Sequence, residues 1–232
     1  MPYMSCAQSD LSESKSILHP YDYDGNPIDM RYSATHKEES RERILDVAAK
    51  QFRARGAEAV RVSDLMEAAG LTHGGFYRHW TSKEQLLQEA LTKALAEISE
   101  QLVAIAGQLP REQALKKVIA AYLSEDHVRN PDLGCALAAM GSEIARMPKE
   151  LRRVVSEALD AYADRLEFLM PGETVRERRA AFLVLFPSMA GCIMTARAHS
   201  SKLRQRQILA AGRALFEQAF CSRKSPKFLE KV

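Results

Sequence analysis

The sequence predicts an all-α fold of about nine helices. From residue 36 to residue 221, apolar residues recur at spacings of three and four. Glycine and proline fall between these periodic stretches, and no stretch alternates in the way a strand would. A chain of 232 residues is long enough for one large or two small domains with a sizeable core.

The first helix is predicted from His36 to Arg55. Ile44, Ala48 and Phe52 recur on one face, and Gly56 follows as a stop. Residues 1–34 mix Ser, Asp, Pro and Gly without a sustained period and are interpreted as a mobile extension. This extension is acidic on balance, which argues against a basic arm that binds an anionic partner.

Residues 62–86 have the spacing of a helix-turn-helix. Leu65, Ala68 and Ala69 are expected on the apolar side of a short helix that Ser63 caps. Gly70 allows the left-handed conformation of a tight turn. Thr72 is then the predicted N-cap of the next helix.

The second helix of this unit is predicted at about His73 to Trp80. Gly74 and Gly75 in its first turns each cost about 0.5–1 kcal/mol relative to alanine. Without side chains they let the backbone approach a surface closely, and the first amides suit a phosphate. Phe76 and Trp80 are expected on the opposite side, in the core.

A third long helix is expected to start at a capping box of Thr81 and Glu84. With this helix in place, residues Arg41 to Leu87 resemble the DNA-binding domain of the TetR family of bacterial regulators. The matching residues are Ile44-Leu45, Ala48-Ala49, Phe52, Gly56, Ala69-Gly70-Leu71-Thr72, Tyr77, His79 and Ser82-Lys83-Glu84. Trp80, where phenylalanine is usual, and Leu65-Met66 depart mildly from the pattern.

The resemblance implies a homodimer that binds a pseudo-palindromic double-stranded DNA operator. Thr72, His73 and Arg78 are candidates for base-edge contacts, and Tyr77 and Lys83 are candidates for phosphate contacts. The full predicted DNA-binding set is Arg61, Ser63, Thr72, His73, Gly74, Gly75, Tyr77, Arg78, His79 and Lys83. The net charge of +3 is weak support for this partner, because a local patch matters more than the sum. Arg41, Arg53 and Arg55 are among the further cations that such a patch could include.

The remaining patterns are all helical. The long helix from Ser82 continues to Gly107 and connects the two parts of the chain. Further helices are predicted at about Arg111 to Asp126, Cys135 to Arg146, Lys149 to Met170, Glu173 to Arg197 and Lys202 to Cys221. The predicted domains are an extension at 1–34, a DNA-binding domain at 35–87, a ligand-binding and dimerisation domain at 88–222, and a tail at 223–232.

The last two helices are apolar over more of their width than one core needs, which indicates burial on two sides. The family resemblance implies that they form a homodimer interface, and a wholly intramolecular core is the alternative. Residues 180–196 are too short for a membrane span and include Pro187 and Gly191. No membrane partner is therefore expected.

The resemblance also implies a small, mainly apolar effector bound between the connecting helix and the dimer layer. The same residues could instead form only core. The candidate lining residues are Tyr122, Leu137, Met140, Ile144, Val155, Leu159, Tyr162, Phe168 and Phe186.

Function is therefore expected to be that of a ligand-responsive repressor in the cytoplasm, since no secretory signal is seen. A thiol-based redox sensor on the same fold, through Cys135 or Cys192, is the alternative. An enzyme is not expected, because the sequence has no acid–base pair, nucleophile elbow, phosphate loop or metal cluster. No cofactor, catalytic residue or metal is predicted.

Overall fold

The computed structural model describes residues 30–107 and 109–221. Of the described residues, those from Ser40 onward form one compact unit, and the residues up to Glu39 are assigned to another. Among the described residues the secondary structure is helical throughout, which confirms the predicted all-α class. The helices are α1 Met30–Arg55, α2 Val62–Ala68, α3 Lys83–Gly107, α4 Arg111–Tyr122, α5 Glu125–Arg129, α6 Ala136–Arg146, α7 Lys149–Leu166, α8 Val175–Ala198 and α9 Lys202–Phe220. Short 3₁₀ helices lie at His73–Arg78, Pro131–Leu133 and Glu167–Leu169.

Three predicted boundaries are corrected. Helix α1 begins at Met30, so residues 30–34 are helical and not part of an irregular extension; residues 1–29 and the tail from 222 lie outside the described residues. The helix predicted from Arg111 to Asp126 is two helices, because Ser124 caps α5 by accepting from the amide of His127. The helix predicted to reach Met170 becomes a 3₁₀ turn after Leu166.

The connecting helix α3 is central because it packs against both α7 and α4. Leu91 and Leu95 on α3, Ile119 on α4 and Leu123 at the C-cap of α4 are almost fully buried. Burial of each such side chain stabilises the fold by about 1.5–3 kcal/mol. The long apolar stripe read from the sequence is thus the core face of α3.

Helices α8 and α9 pack against each other and still leave apolar side chains in solvent. On α8, Leu183 is 64% exposed, and Val184 and Met194 are also exposed. On α9, Leu215 is 60% exposed. One face of this helix pair is therefore left uncovered by the part of the chain that the structure describes.

Helix α8 is the one helix in the described part of the chain that is long and apolar enough to cross a membrane. Half of its most apolar stretch is buried inside the fold. A core helix satisfies the same length and composition criteria, so these two properties do not distinguish the two environments.

Candidate nucleic-acid interface and effector cleft

The helix-turn-helix is formed by α2, a glycine turn and the 3₁₀ segment His73–Arg78. Gly70 has a φ of +70°, which confirms the predicted left-handed turn. The apolar side of α2 consists of Leu65, Met66 and Ala69, whereas Ala68 is exposed, contrary to the prediction.

The predicted caps around this unit are also corrected. The N-cap of α2 is Arg61 in an extended conformation, and the Ser63 hydroxyl bonds the Asp64 carboxylate at 3.1 Å instead of capping. At α3, the Ser82 hydroxyl accepts from the amide of Gln85 at 3.2 Å. The amide of Thr81 donates to the Gln85 side chain at 3.0 Å, so the capping motif lies one residue later than predicted.

The recognition segment is a 3₁₀ helix, not the predicted α-helix. Phe76 and Trp80 are each 1% exposed and their rings stack with centroids 6.0 Å apart, which confirms their predicted place in the core. On the other side, Tyr77 is 68% exposed, and His73 and Arg78 are exposed too. The segment is therefore anchored by one side and open on the other.

The two glycines of this segment have different surroundings. A Cβ on Gly75 would lie 3.3 Å from Cε of Met66, so its small size serves packing against α2. A Cβ on Gly74 would meet nothing within 4 Å. Nothing within the subunit therefore requires glycine at position 74.

Most of the predicted DNA-binding residues are accessible. Half-buried positions are Gly75, His79 and Lys83. Exposed positions are Arg61, Ser63, Thr72, His73, Gly74, Tyr77 and Arg78. Their contact with DNA stays a prediction.

Two cations proposed for the basic patch have other contacts. Arg41 pairs with Glu89 and lies over Trp80, with its guanidinium carbon 5.1 Å from the ring centroid. The side chain of Arg53 is only 3% exposed and lies 3.4 Å from Glu97. The assignment of Arg53 to the basic patch was wrong, because its guanidinium is directed into the protein.

A ladder of ion pairs joins α1 to α3. The α3 partners Glu89, Lys93 and Glu97 are spaced one turn apart. Lys93 lies 3.0 Å from Asp46, and hydrogen bonding to that carboxylate raises the pKa of Lys93. These ion pairs hold the DNA-reading unit, which consists of α1, α2 and the recognition segment, along the first half of the connecting helix α3.

An open cleft of about 200 Å³ lies beside the second half of α3. Its walls are apolar side chains of α3 with residues of α4, α5 and the 3₁₀ turn that follows. The lining residues are Ile98, Gln101, Leu102, Ile105, Ala121, Tyr122, Asp126, His127, Asn130, Leu133 and Gly134. Apart from Tyr122, none was among the predicted effector contacts, because the cleft forms between segments that are distant in sequence.

His127 is held rigidly in the cleft wall. Its Nδ1 lies 2.7 Å from the carbonyl of Tyr122, and its Nε2 accepts from the amide of Cys135 at 3.0 Å. Burial, with a further contribution from the Arg197 cation, lowers the pKa of His127 to about 4. The ring is therefore neutral near pH 7 and bridges α4 to the start of α6.

The predicted effector contacts fall into three groups. Tyr122, Tyr162 and Phe186 form an aromatic cluster with Phe182, and the buried Tyr162 hydroxyl has no hydrogen-bond partner among the described residues. Phe168 is 50% exposed and does not lie in the interior, contrary to the prediction. The others are buried or half-buried core residues: Leu137, Met140, Ile144, Val155 and Leu159.

The thiols lack the features of a redox sensor. Cys135 is 1% exposed, and burial raises the pKa of Cys192 and, to about 11, that of Cys221. A reactive cysteine needs a lowered pKa and access to solvent. Cys6 lies outside the described residues, and within those residues no His, Cys, Asp and Glu cluster could hold a metal.

The all-α fold and the exposed helix-turn-helix define the class, a helix-turn-helix DNA-binding regulator. Residues 44–90 match the bacterial regulatory proteins of the tetR family, so this part of the chain is a DNA-binding domain of the tetR type. The chain is 33% identical over 132 residues to the HTH-type transcriptional regulator YdgC of Bacillus subtilis. That match covers 53% of this chain and 65% of YdgC, which is less than two thirds of the relative's length.

Two further comparisons support the family. The HTH-type transcriptional repressor KstR2 of Mycolicibacterium smegmatis is 41% identical over 51 residues, or 22% of this chain and 25% of KstR2. A TetR transcriptional regulator from Chloroflexus aurantiacus has the same fold, with a TM-score of 0.62, 23% identity, and coverage of 80% of this chain and 98% of that one. All three of these relatives are named as transcriptional regulators or repressors.

Proposed function

We propose that the protein is a cytoplasmic repressor that binds operator DNA as a homodimer and is released by a small, mainly apolar molecule. The observation that carries this proposal is the two-sided recognition segment. Phe76 and Trp80 fix one side in the core, while Tyr77, Arg78 and His73 present donors of different reach to solvent. The repressor role rests on the likeness to KstR2, which is named as a repressor.

The proposed dimer uses the uncovered face of α8 and α9. Leu183, Val184 and Met194 of α8 and Leu215 of α9 are large apolar side chains in solvent. A second copy that packs its own α8 and α9 on this face removes them from water, and a twofold interface is self-complementary. Two recognition segments are then available to one duplex.

The proposed effector site is the cleft beside α3. Its apolar wall is formed by residues such as Ile98, Leu102 and Ile105, and its polar groups include Gln101 and Asn130. This composition suits an uncharged, mainly apolar molecule with one hydrogen-bonding end. A ligand that binds better to the DNA-incompetent state lowers operator affinity.

DNA binding is tested by selecting duplexes from a randomised pool with the purified protein. We expect a pseudo-palindromic site whose affinity falls steeply between low and moderate salt. Arg78→Ala should relax preference at one position per half-site, a loss of about 1–3 kcal/mol of discrimination. The matched control is Lys117→Ala, which removes the same charge from the exposed side of α4. Equal affinity for every duplex would refute the proposal.

The cleft is tested with Nile red, an uncharged apolar dye. Ala121→Phe places a phenyl ring in the cleft and should weaken dye binding about tenfold. The control is Ala161→Phe, at an exposed alanine of α7 outside the cleft. Unchanged dye affinity in the Ala121 variant would place the apolar site elsewhere.

A further inference from the structure

The C-terminal end of α1 is held at two points by the effector-binding part of the chain. Nε of Arg53 donates to the carbonyl of Asp132 at 2.7 Å, and its terminal nitrogens lie 3.4 Å from Glu97. The amide of Ala57 donates to the carboxylate of Glu143 on α6 at 2.8 Å. All three partners are at least 44 residues away in sequence.

The contact of Arg53 is well buried. Its side chain is 3% exposed, and burial lowers the pKa of this guanidinium despite the neighbouring Glu97. Removal of a buried donor leaves its acceptors without a partner, which costs more than loss of a surface bond. The contact therefore fixes the spacing between α1 and the 3₁₀ turn Pro131–Leu133.

That 3₁₀ turn is also the wall of the cleft. Leu133 and Gly134 line the cleft, and Asp132, whose carbonyl holds Arg53, precedes them directly. A molecule that displaces Leu133 must move the acceptor of Arg53. This connection from the cleft through Asp132 to Arg53 is short and does not pass along α3.

We propose that Arg53 is a positioning residue that transmits occupancy of the cleft to the DNA-reading unit through the carbonyl of Asp132. The inference rests on the proposed function. It adds to α3 a second connection between the cleft and the DNA-reading unit. When the 3₁₀ turn shifts, the end of α1 shifts with it, and α2 and the recognition segment follow. Occupancy then changes the placement of the recognition segment on DNA.

The test needs no effector, because Ala121→Phe serves as the cleft occupant. Operator affinity is measured for the full chain with the selected duplex, with and without Ala121→Phe, in wild-type, Arg53→Met and Arg53→Lys backgrounds. We expect Ala121→Phe to weaken binding about tenfold in wild type, within the usual range of allosteric coupling. The effect should nearly vanish with Arg53→Met, which keeps the volume but has no donor, and should largely return with Arg53→Lys.

Arg165→Met is the control, since it removes an arginine–glutamate contact of 2.9 Å between α7 and α3. It should leave the tenfold effect intact, which a general loss of rigidity would not do. Thermal unfolding verifies that each variant is folded, and Arg53→Leu, which also has no donor, replaces Arg53→Met if that variant does not fold.

Three outcomes would overturn the inference, and they are distinguishable. A tenfold effect of Ala121→Phe that persists in Arg53→Met refutes the role of Arg53 alone. No effect of Ala121→Phe in wild type refutes both this route and the cleft as the effector site. Failure of the wild type to select any duplex refutes the proposed function itself.

Discussion

A Cβ on Gly134 would lie 2.5 Å from Cδ2 of His127, so the imidazole occupies the space that any side chain at position 134 needs. The ring is fixed there by its bonds to Tyr122 and Cys135. Glycine at 134 is thus required by packing and not by backbone conformation, because its negative φ is one that other residues also adopt.

Gly134→Ala should displace the His127 ring and destabilise the protein by about 1–3 kcal/mol, the usual cost of overpacking. Gly141→Ala is the control, because its Cβ would be 3.4 Å from Leu137, an ordinary contact, inside helix α6. That variant should be neutral or stabilised by up to about 1 kcal/mol. Urea unfolding measures both, and equal free energies of unfolding would contradict the packing argument.

The lowered pKa of His127 predicts a loss of stability in mild acid. Between its ordinary pKa of 6.5 and the folded value of about 4, the unfolded chain binds a proton that the folded chain does not. The contribution of His127 to the free energy of unfolding is therefore fully present above pH 6.5. It is lost as the pH drops toward 4, and this loss is up to about 3 kcal/mol. The His127→Gln variant should not show this acid-dependent loss when free energies of unfolding are measured between pH 6.5 and pH 4. The same pH profile in both proteins would show that His127 is not the cause.

The uncovered face of α8 and α9 predicts a dimer that a single charge can separate. Leu183→Arg places a cation among apolar groups and should give monomers in sedimentation experiments, with operator affinity lost in parallel. Phe168→Arg is the control, since it changes a half-exposed residue outside these two helices. If Leu183→Arg remains dimeric, the interface lies on another surface.

The thiols should not respond to peroxide at neutral pH. The pKa values of Cys192 and Cys221 are raised by burial, and Cys135 is enclosed. We expect operator affinity to be the same before and after peroxide, with slow titration of Cys135, Cys192 and Cys221 in the folded protein. A loss of affinity that Cys135→Ser or Cys192→Ser prevents would revive the redox-sensing alternative.

Local patterns predicted the fold well where one helix face decides burial. The stripe of α3, the buried pair Phe76 and Trp80 and the left-handed turn at Gly70 all depend on nearby residues. Caps were less predictable, because the N-cap of α2 is Arg61, two residues before the predicted Ser63, and the cap of α3 is Ser82, one residue after the predicted Thr81. The structure uses Ser82 and leaves Ser63 bonded to Asp64.

Contacts between distant segments could not be predicted from the sequence. Nothing in the spacing of residues indicates that Arg53 reaches Asp132 or that Glu143 reaches Ala57. Both bonds use a backbone group, which carries no sequence signal. The cleft was missed for the same reason, since Leu133 belongs to a 3₁₀ turn and His127 to the short helix α5, both too short to show a helical period.

The packing of Trp80 allows intrinsic fluorescence to report on the recognition segment. The chain has one tryptophan, and its indole lies between Phe76 of the recognition segment and the guanidinium of Arg41, with Nε1 buried and without a partner among the described residues. All intrinsic tryptophan emission therefore comes from the point where the recognition segment meets α1. Changes in its wavelength or quenching would report movement of the DNA-reading unit without a label or added cysteine.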